Sequence, residues 1–190
     1  DKAALGHSGQ SSVESRKHAI VADSWSKMPT LQAIIRDGKK MEKVTDVLFG
    51  EKVDDPQIIK AAKEFQDMNA GMIQDAKNVG MPITPLDNWR IPQGLSHYKA
   101  AADLDGFTHD LLQAVDPNIY RHDNGTKYTP DELKEFISKA AETIATDGAS
   151  KDRNADSTGR AMGSGRGYQK ERQIHYKDAA SWRFMQEKYG

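Results

Sequence analysis

Between residues 54 and 80 the chain carries one long periodic pattern, and it constrains the fold more than any other feature. Asp54 or Asp55 is placed to cap a helix, and Pro56 occupies its first turn, where a missing N–H costs nothing. Ile58, Ile59, Ala62, Phe65, Met68, Met72, Ile73 and Ala76 follow at three- and four-residue steps, which predicts a helix over 55–79 with one buried face. Gly80 stands where such a helix ends in the left-handed conformation. Gly71 lies inside the pattern. An interior glycine costs roughly 1 kcal/mol relative to alanine, so a close helix crossing is expected there.

The rest of the chain reads the same way. The first ten residues form an irregular lead-in, and a helix is expected over 12–27 with Val13, His18, Ile20, Val21 and Trp25 available for burial. Pro29 ends it; Thr30 then caps a short helix carrying Leu31, Ile34 and Ile35, and Gly38 stops that one. Met41, Val44, Val47, Leu48 and Phe49 keep helical spacing up to Gly50. Three prolines between 81 and 93 make an extended connector, and helix resumes over 96–102 and 105–115. After a polar turn region over 117–127, Thr129-Pro130-Asp131-Glu132 is a capping box with proline at the first helical position. Leu133, Phe136, Ile137, Ala140, Ala141 and Ile144 continue its stripe to Gly148. A last helix is expected over 178–189, capped by Asp178, with Trp182, Phe184, Met185 and Tyr189 buried. Only 172–177 offers a modest strand. The expected fold is mostly α: an irregular helical bundle with a long Gly/Arg-rich loop before a C-terminal helix.

Composition bounds what this bundle can do. Hydrophobic residues make up 37% of the 190 residues and mean hydropathy is -0.76, so the core is thin. Lys+Arg 27 against Asp+Glu 28 leaves a net charge of -1, and no global field draws the chain onto nucleic acid or anionic lipid. No apolar run approaches the length of a membrane span. The absence of cysteine excludes disulfides, thiolate zinc sites and a cysteine nucleophile. The start at Asp1, with neither Met nor signal peptide, is the start expected of a piece of something longer. Four segments are expected: an N-terminal helical segment over 1–54, a central helical module over 55–148, a flexible basic loop over 149–172 and a docking helix over 173–190.

No catalytic constellation emerges. His122-Asp123-Asn124-Gly125 invites comparison with a calcium loop, but Gly125 at the sixth position puts Tyr120 where a carboxylate must stand, and Asp131 where a glutamate must. A turn before a capped helix is the better reading. Gly163-Ser164-Gly165-Arg166-Gly167 lacks the preceding strand and following helix of a phosphate cradle. No histidine pair has zinc-hydrolase spacing, and no Gly-x-Ser-x-Gly elbow occurs. No catalytic residue, metal, cofactor or small-molecule ligand is therefore expected. The segment 149–172 sets six basic against three acidic groups. Within it Arg153, Arg160, Arg166, Lys170 and Arg172 would suit backbone phosphates, with an ordinary solvated loop as the blander account.

Two strings in the chain are distinctive. Phe65, Asn69-Ala70-Gly71 and Ile73 lead to Leu86-Asp87-Asn88-Trp89-Arg90-Ile91-Pro92-Gln93 and His97. Arg172 and His175-Tyr176-Lys177-Asp178-Ala179-Ala180-Ser181-Trp182 lead to Met185-Gln186-Glu187-Lys188-Tyr189-Gly190, with Glu142-Thr143-Ile144-Ala145-Thr146-Asp147-Gly148 between them. Over 55–190 this succession resembles a region of the very large virion-associated proteins of tailed bacteriophages, the polyvalent or internal ejection proteins packaged in the capsid. The family's usual aromatic in the last string is phenylalanine, where this chain has Tyr176.

The resemblance implies a structural or interaction module of an internal virion protein, acting in capsid-interior assembly or genome ejection. It would be made in the host cytoplasm, reside in the capsid interior or at the portal or tail, and contact other virion proteins or copies of itself. Phage DNA could be touched through the basic loop. Trp89, Pro92, Gln93 and His97 would pin the connector, with Trp89 in the core and Gln93 bonding backbone. His175, Asp178 and Trp182 would dock the last helix. Two rivals remain: an enzymatic domain delivered into the host, which a buried pocket holding His97, Arg90 and a carboxylate would favour, and a dedicated DNA-binding module.

Overall fold

The computed structural model describes residues 15, 18–78, 80, 90–122, 124–148 and 174–190. It is helical, and among the described residues there is no strand longer than an isolated bridge. Contacts gather the chain into two compact units, one through Val79 and one from Gly80. The expected boundary between 54 and 55 is therefore displaced: the long helix belongs with the segment before it.

In the first unit, α1 covers 18–26, α2 spans Pro29–Ile34, α3 Gly38–Leu48 and α4 Pro56–Asn78. Both α2 and α3 pack on α4, burying Met28, Leu31, Ile34, Val44, Leu48, Ile58, Ala61 and Ala62. Asp55 caps α4 as its sequence predicts, its carboxylate accepting from the N–H of Gln57 at 2.8 Å and of Ile58 at 3.4 Å. Four expectations are corrected. Met28, not Thr30, is the N-cap of α2, because Pro29 takes the first helical position. Gly38 opens α3, with Asp37 as its cap, instead of stopping α2. Ile20, Val21 and Trp25 of α1 are exposed. Finally, a Cβ at Gly71 would meet open space, so no helix crosses closely there. Full burial of α4 likewise stops after Ala62.

In the second unit an extended run over 90–96 leads to α5 (His97–Ala102), α6 (Leu104–Ala114), α7 (Pro130–Ala145) and α8 (Ala179–Tyr189). Here α7 packs on α5 and α6, and α8 on α6. Phe107, Leu111, Ile137 and Met185 are fully buried at the centre, with Ala100, Ala140 and Ala141 letting the helices approach. Asparagine and glycine chemistry shapes the turn before α7. Asn124 Oδ1 accepts from the Thr126 N–H at 3.0 Å, Gly125 has φ of 83°, and Arg121 bridges Lys127. The capping box of α7 is complete: Thr129 Oγ1 accepts from Glu132 N–H and Glu132 Oε2 accepts from Thr129 N–H. Of the strand expected over 172–177, residues 172 and 173 lie outside the described residues, and 174–177 make one antiparallel bridge, between Val115 and Tyr176. Among the residues expected to be buried in α8, Met185 and Tyr189 are, whereas Trp182 is half-buried and Phe184 is 46% exposed. Among the described residues, no helix is long and apolar enough to cross a membrane.

Candidate functional site

The second unit brings residues 90–97 of the first distinctive string against the second one. Within the run over 90–96, Pro92 O accepts from the Trp182 indole N–H at 3.3 Å, and Gln93 Nε2 donates to Ile174 O at 3.3 Å. Further along, Gly94 N–H reaches Gln186 Oε1 at 3.4 Å and Ser96 N–H donates to Tyr189 O at 2.7 Å. Lys99 Nζ closes the series on Gly190 O at 2.6 Å. Residues some eighty to ninety positions apart are thus held by four bonds between side chain and backbone and one between backbones. Asp178 belongs to the same assembly as the cap of α8, its carboxylate accepting from Ser181 N–H at 2.7 Å.

The other side of the 174–190 segment is fastened to α6 and the turn after it. His175 O accepts from Asp116 N–H at 2.8 Å, Lys177 N–H donates to Ala114 O at 3.0 Å, and His175 N–H donates to Tyr120 Oη at 3.2 Å. At the far end Asp110 Oδ2 accepts from Lys188 Nζ at 2.6 Å and from Tyr189 Oη at 2.7 Å. Tyr189 also sets its ring edge-on to Phe107, with centroids 4.8 Å apart.

The electrostatics follow from these contacts. Burial pushes the Asp110 carboxyl up, but the hydrogen bonds from Lys188 and Tyr189 outweigh it and hold the group below its ordinary range. Asp178 is likewise lowered, burial being overcome by its bonds to Ser181. Burial raises the Tyr120 phenol to about 12, against a backbone bond from His175 that favours the charged form. These are marks of a fastening: Asp110 and Asp178 are lowered by bonds that hold the two ends of α8, and Tyr120 is raised by its burial under the same segment.

Of the expected site residues, Pro92, Gln93, His175, Asp178 and Trp182 meet here. Trp89 lies outside the described residues, as do Arg153, Arg160, Arg166, Lys170 and Arg172. His97 is half-buried with its ring against Tyr98, centroids 3.9 Å apart, at the start of α5. Sequence reasoning missed Asp110, Lys188 and Tyr120, whose roles depend on partners more than fifty residues away. It missed Glu64 too, a glutamate on α4 whose carboxylate accepts from the N–H of Thr30 at 2.8 Å and of Leu31 at 3.1 Å, capping α2 from outside.

Among the described residues no three His, Cys, Asp or Glu side chains stand together as a metal would need. His122 Nε2 lies 3.3 Å from Glu132 Oε1, an exposed pair whose glutamate is already committed to the capping box. Between α6 and α8 a shallow depression of about 440 Å³ is lined by Asp110, Gln113, Lys177, Asp178, Ser181 and Phe184. Its Lys177 Nζ is already donating to Gln113 O at 2.7 Å. Comparisons with known protein families, with curated proteins and with solved structures each returned no match to this chain.

Proposed function

We propose that this chain is a structural and interaction module of a bacteriophage internal virion protein, acting in capsid-interior assembly or genome ejection. The observation that carries the structural half is the use made of the two distinctive strings: the Trp182 indole N–H, Gln93 Nε2 and Gln186 Oε1 each bond backbone of the facing segment. Residues of those types in a catalytic or ligand site would aim at a cavity instead. The viral half rests on the likeness of the same strings to internal ejection proteins. Partners would be other virion proteins or further copies, and the basic groups of 149–172 would add weak, salt-sensitive DNA contact.

Localisation tests the proposal. An antibody raised against the chain should label purified tailed-phage particles only after their heads are opened, and cross-linking inside intact heads should join the chain to other internal proteins. Absence of the chain from purified particles would overturn the viral reading. Binding to its virion partners should survive the change of Arg160, Arg166 and Lys170 to alanine; retention on DNA with a clear salt slope, lost in that variant, would make the chain a DNA binder first.

A further inference from the structure

The first unit leaves a groove that its own core does not use. Between α1 and the second half of α4 lies a trough of about 560 Å³. Its floor is Ala19, Ile20, Met68, Gly71 and Met72, with Ile20 59% and Met72 49% exposed. Asp23 stands on the α1 rim, Asp67 and Asp75 on the α4 rim, with Glu64 at one end; among the described residues Lys27 is the single cation lining it. Three rim carboxylates thus face one ammonium around an apolar floor, the Glu64 carboxylate being held by the N–H groups of α2.

We infer that this groove docks a basic amphipathic helix from a partner protein. A trough of that volume over small and flexible side chains suits the ridge of a third helix, and methionines adapt to whichever residues enter. Acids on both rims select the flanking charges. Asp23 pairs with Lys27 at 2.7 Å and Asp67 with Lys63 at 2.8 Å. Both are exposed pairs one helical turn apart, which hold weakly and exchange readily for an incoming lysine or arginine. Asp75 adds a third carboxylate to the rims. A helix with apolar residues at i, i+3, i+4 and i+7 and cations on both flanks matches the floor and the rims at once. An acidic helix meets repulsion on both sides.

The probe is a labelled peptide of about 15 residues with leucines at those spacings and lysines flanking them. It is titrated into the 190-residue chain. Binding in the range of about 10–100 μM is expected. The same peptide with glutamates for lysines, and a lysine–serine peptide of equal charge without leucines, should each bind about tenfold or more weakly. The decisive variant is Gly71→Leu. The space beside Gly71 is open, so leucine fills the floor while improving the helix, and binding should fall about tenfold or more as the melting temperature rises. Equal binding of the acidic peptide, unaltered binding by Gly71→Leu, or no binding of the basic peptide overturns the inference. Self-association of the chain that Gly71→Leu abolishes would also overturn it, by making the occupant a second copy.

Discussion

Tyr120 shows how a single residue serves the fold in this chain. Its ring contacts Phe136 and His175, with centroids 5.5 and 5.8 Å away, while its hydroxyl accepts the His175 N–H. The phenol titrates at about 12 in the folded protein against an ordinary 10.0. A group raised on folding contributes fully below its unfolded value and loses that contribution as pH rises towards its folded value. Stability should therefore fall between pH 10 and pH 12 by more in the native chain than in Tyr120→Phe, as urea titrations across that range would measure. At neutral pH the variant should cost about 1 kcal/mol for the lost hydrogen bond. Nothing local announces this residue. Its neighbours in sequence, Arg121 and His122, are exposed, and its worth comes from a segment fifty-five positions later.

The helices themselves are largely legible in the sequence. Caps written as Asp55, Thr129 and Asp178 all hold, because a cap is a contract between residues two or three apart that needs no tertiary partner. The failures share the opposite cause. Periodicity marks the whole of α4 as one buried face, yet only Ile58, Ala61 and Ala62 find neighbours that cover them fully. A stripe states which residues could be covered, and other elements decide which are. Thr30 reads as a cap, but the N–H groups at the start of α2 are met by Glu64. Glu64→Ala should destabilise the chain by about 1 kcal/mol, the usual cost of a lost cap. Burial raises that carboxyl, its bonds to Thr30 and Leu31 lower it further, and the net is a value below the ordinary 4.5. The deficit of Glu64→Ala should accordingly be present above pH 4.5 and shrink as pH falls below it, which chemical denaturation at pH 7 and pH 3 would reveal.

At the scale of the whole molecule, the division into two units sets what a core mutation can reach. Each unit has its own apolar centre: Ile58 with Leu31, Ile34, Val44 and Leu48 in one, Phe107 with Leu111, Ile137 and Met185 in the other. Ile58 is wholly buried, so Ile58→Ala should cost about 3 kcal/mol through lost contacts and the cavity left behind. Hydrogen exchange should then quicken over α2, α3 and the first half of α4, while amides of α6 and α7 keep their protection. Exchange that quickened equally throughout would mean that the two centres unfold as one. Sequence alone puts a boundary at the start of the long helix because its cap and proline are the clearest punctuation nearby. Punctuation marks where an element starts. Which unit it joins depends on the sides of α4 that α2 and α3 cover.

Apart from the Gln93 bond to Ile174 O, the bonds from Pro92 to Lys99 run in the same direction as the segment they grip, meeting Trp182, Gln186, Tyr189 and Gly190 in ascending order. Strips joined in this sense resist tension unequally. Drawn apart between residues 90 and 190, the links are loaded side by side and must give way together, in shear. Lifted at residue 190 alone, they break in succession, beginning with Lys99 and Ser96, as a seam unzips. The same lock is strong along one axis of pull and yielding along another.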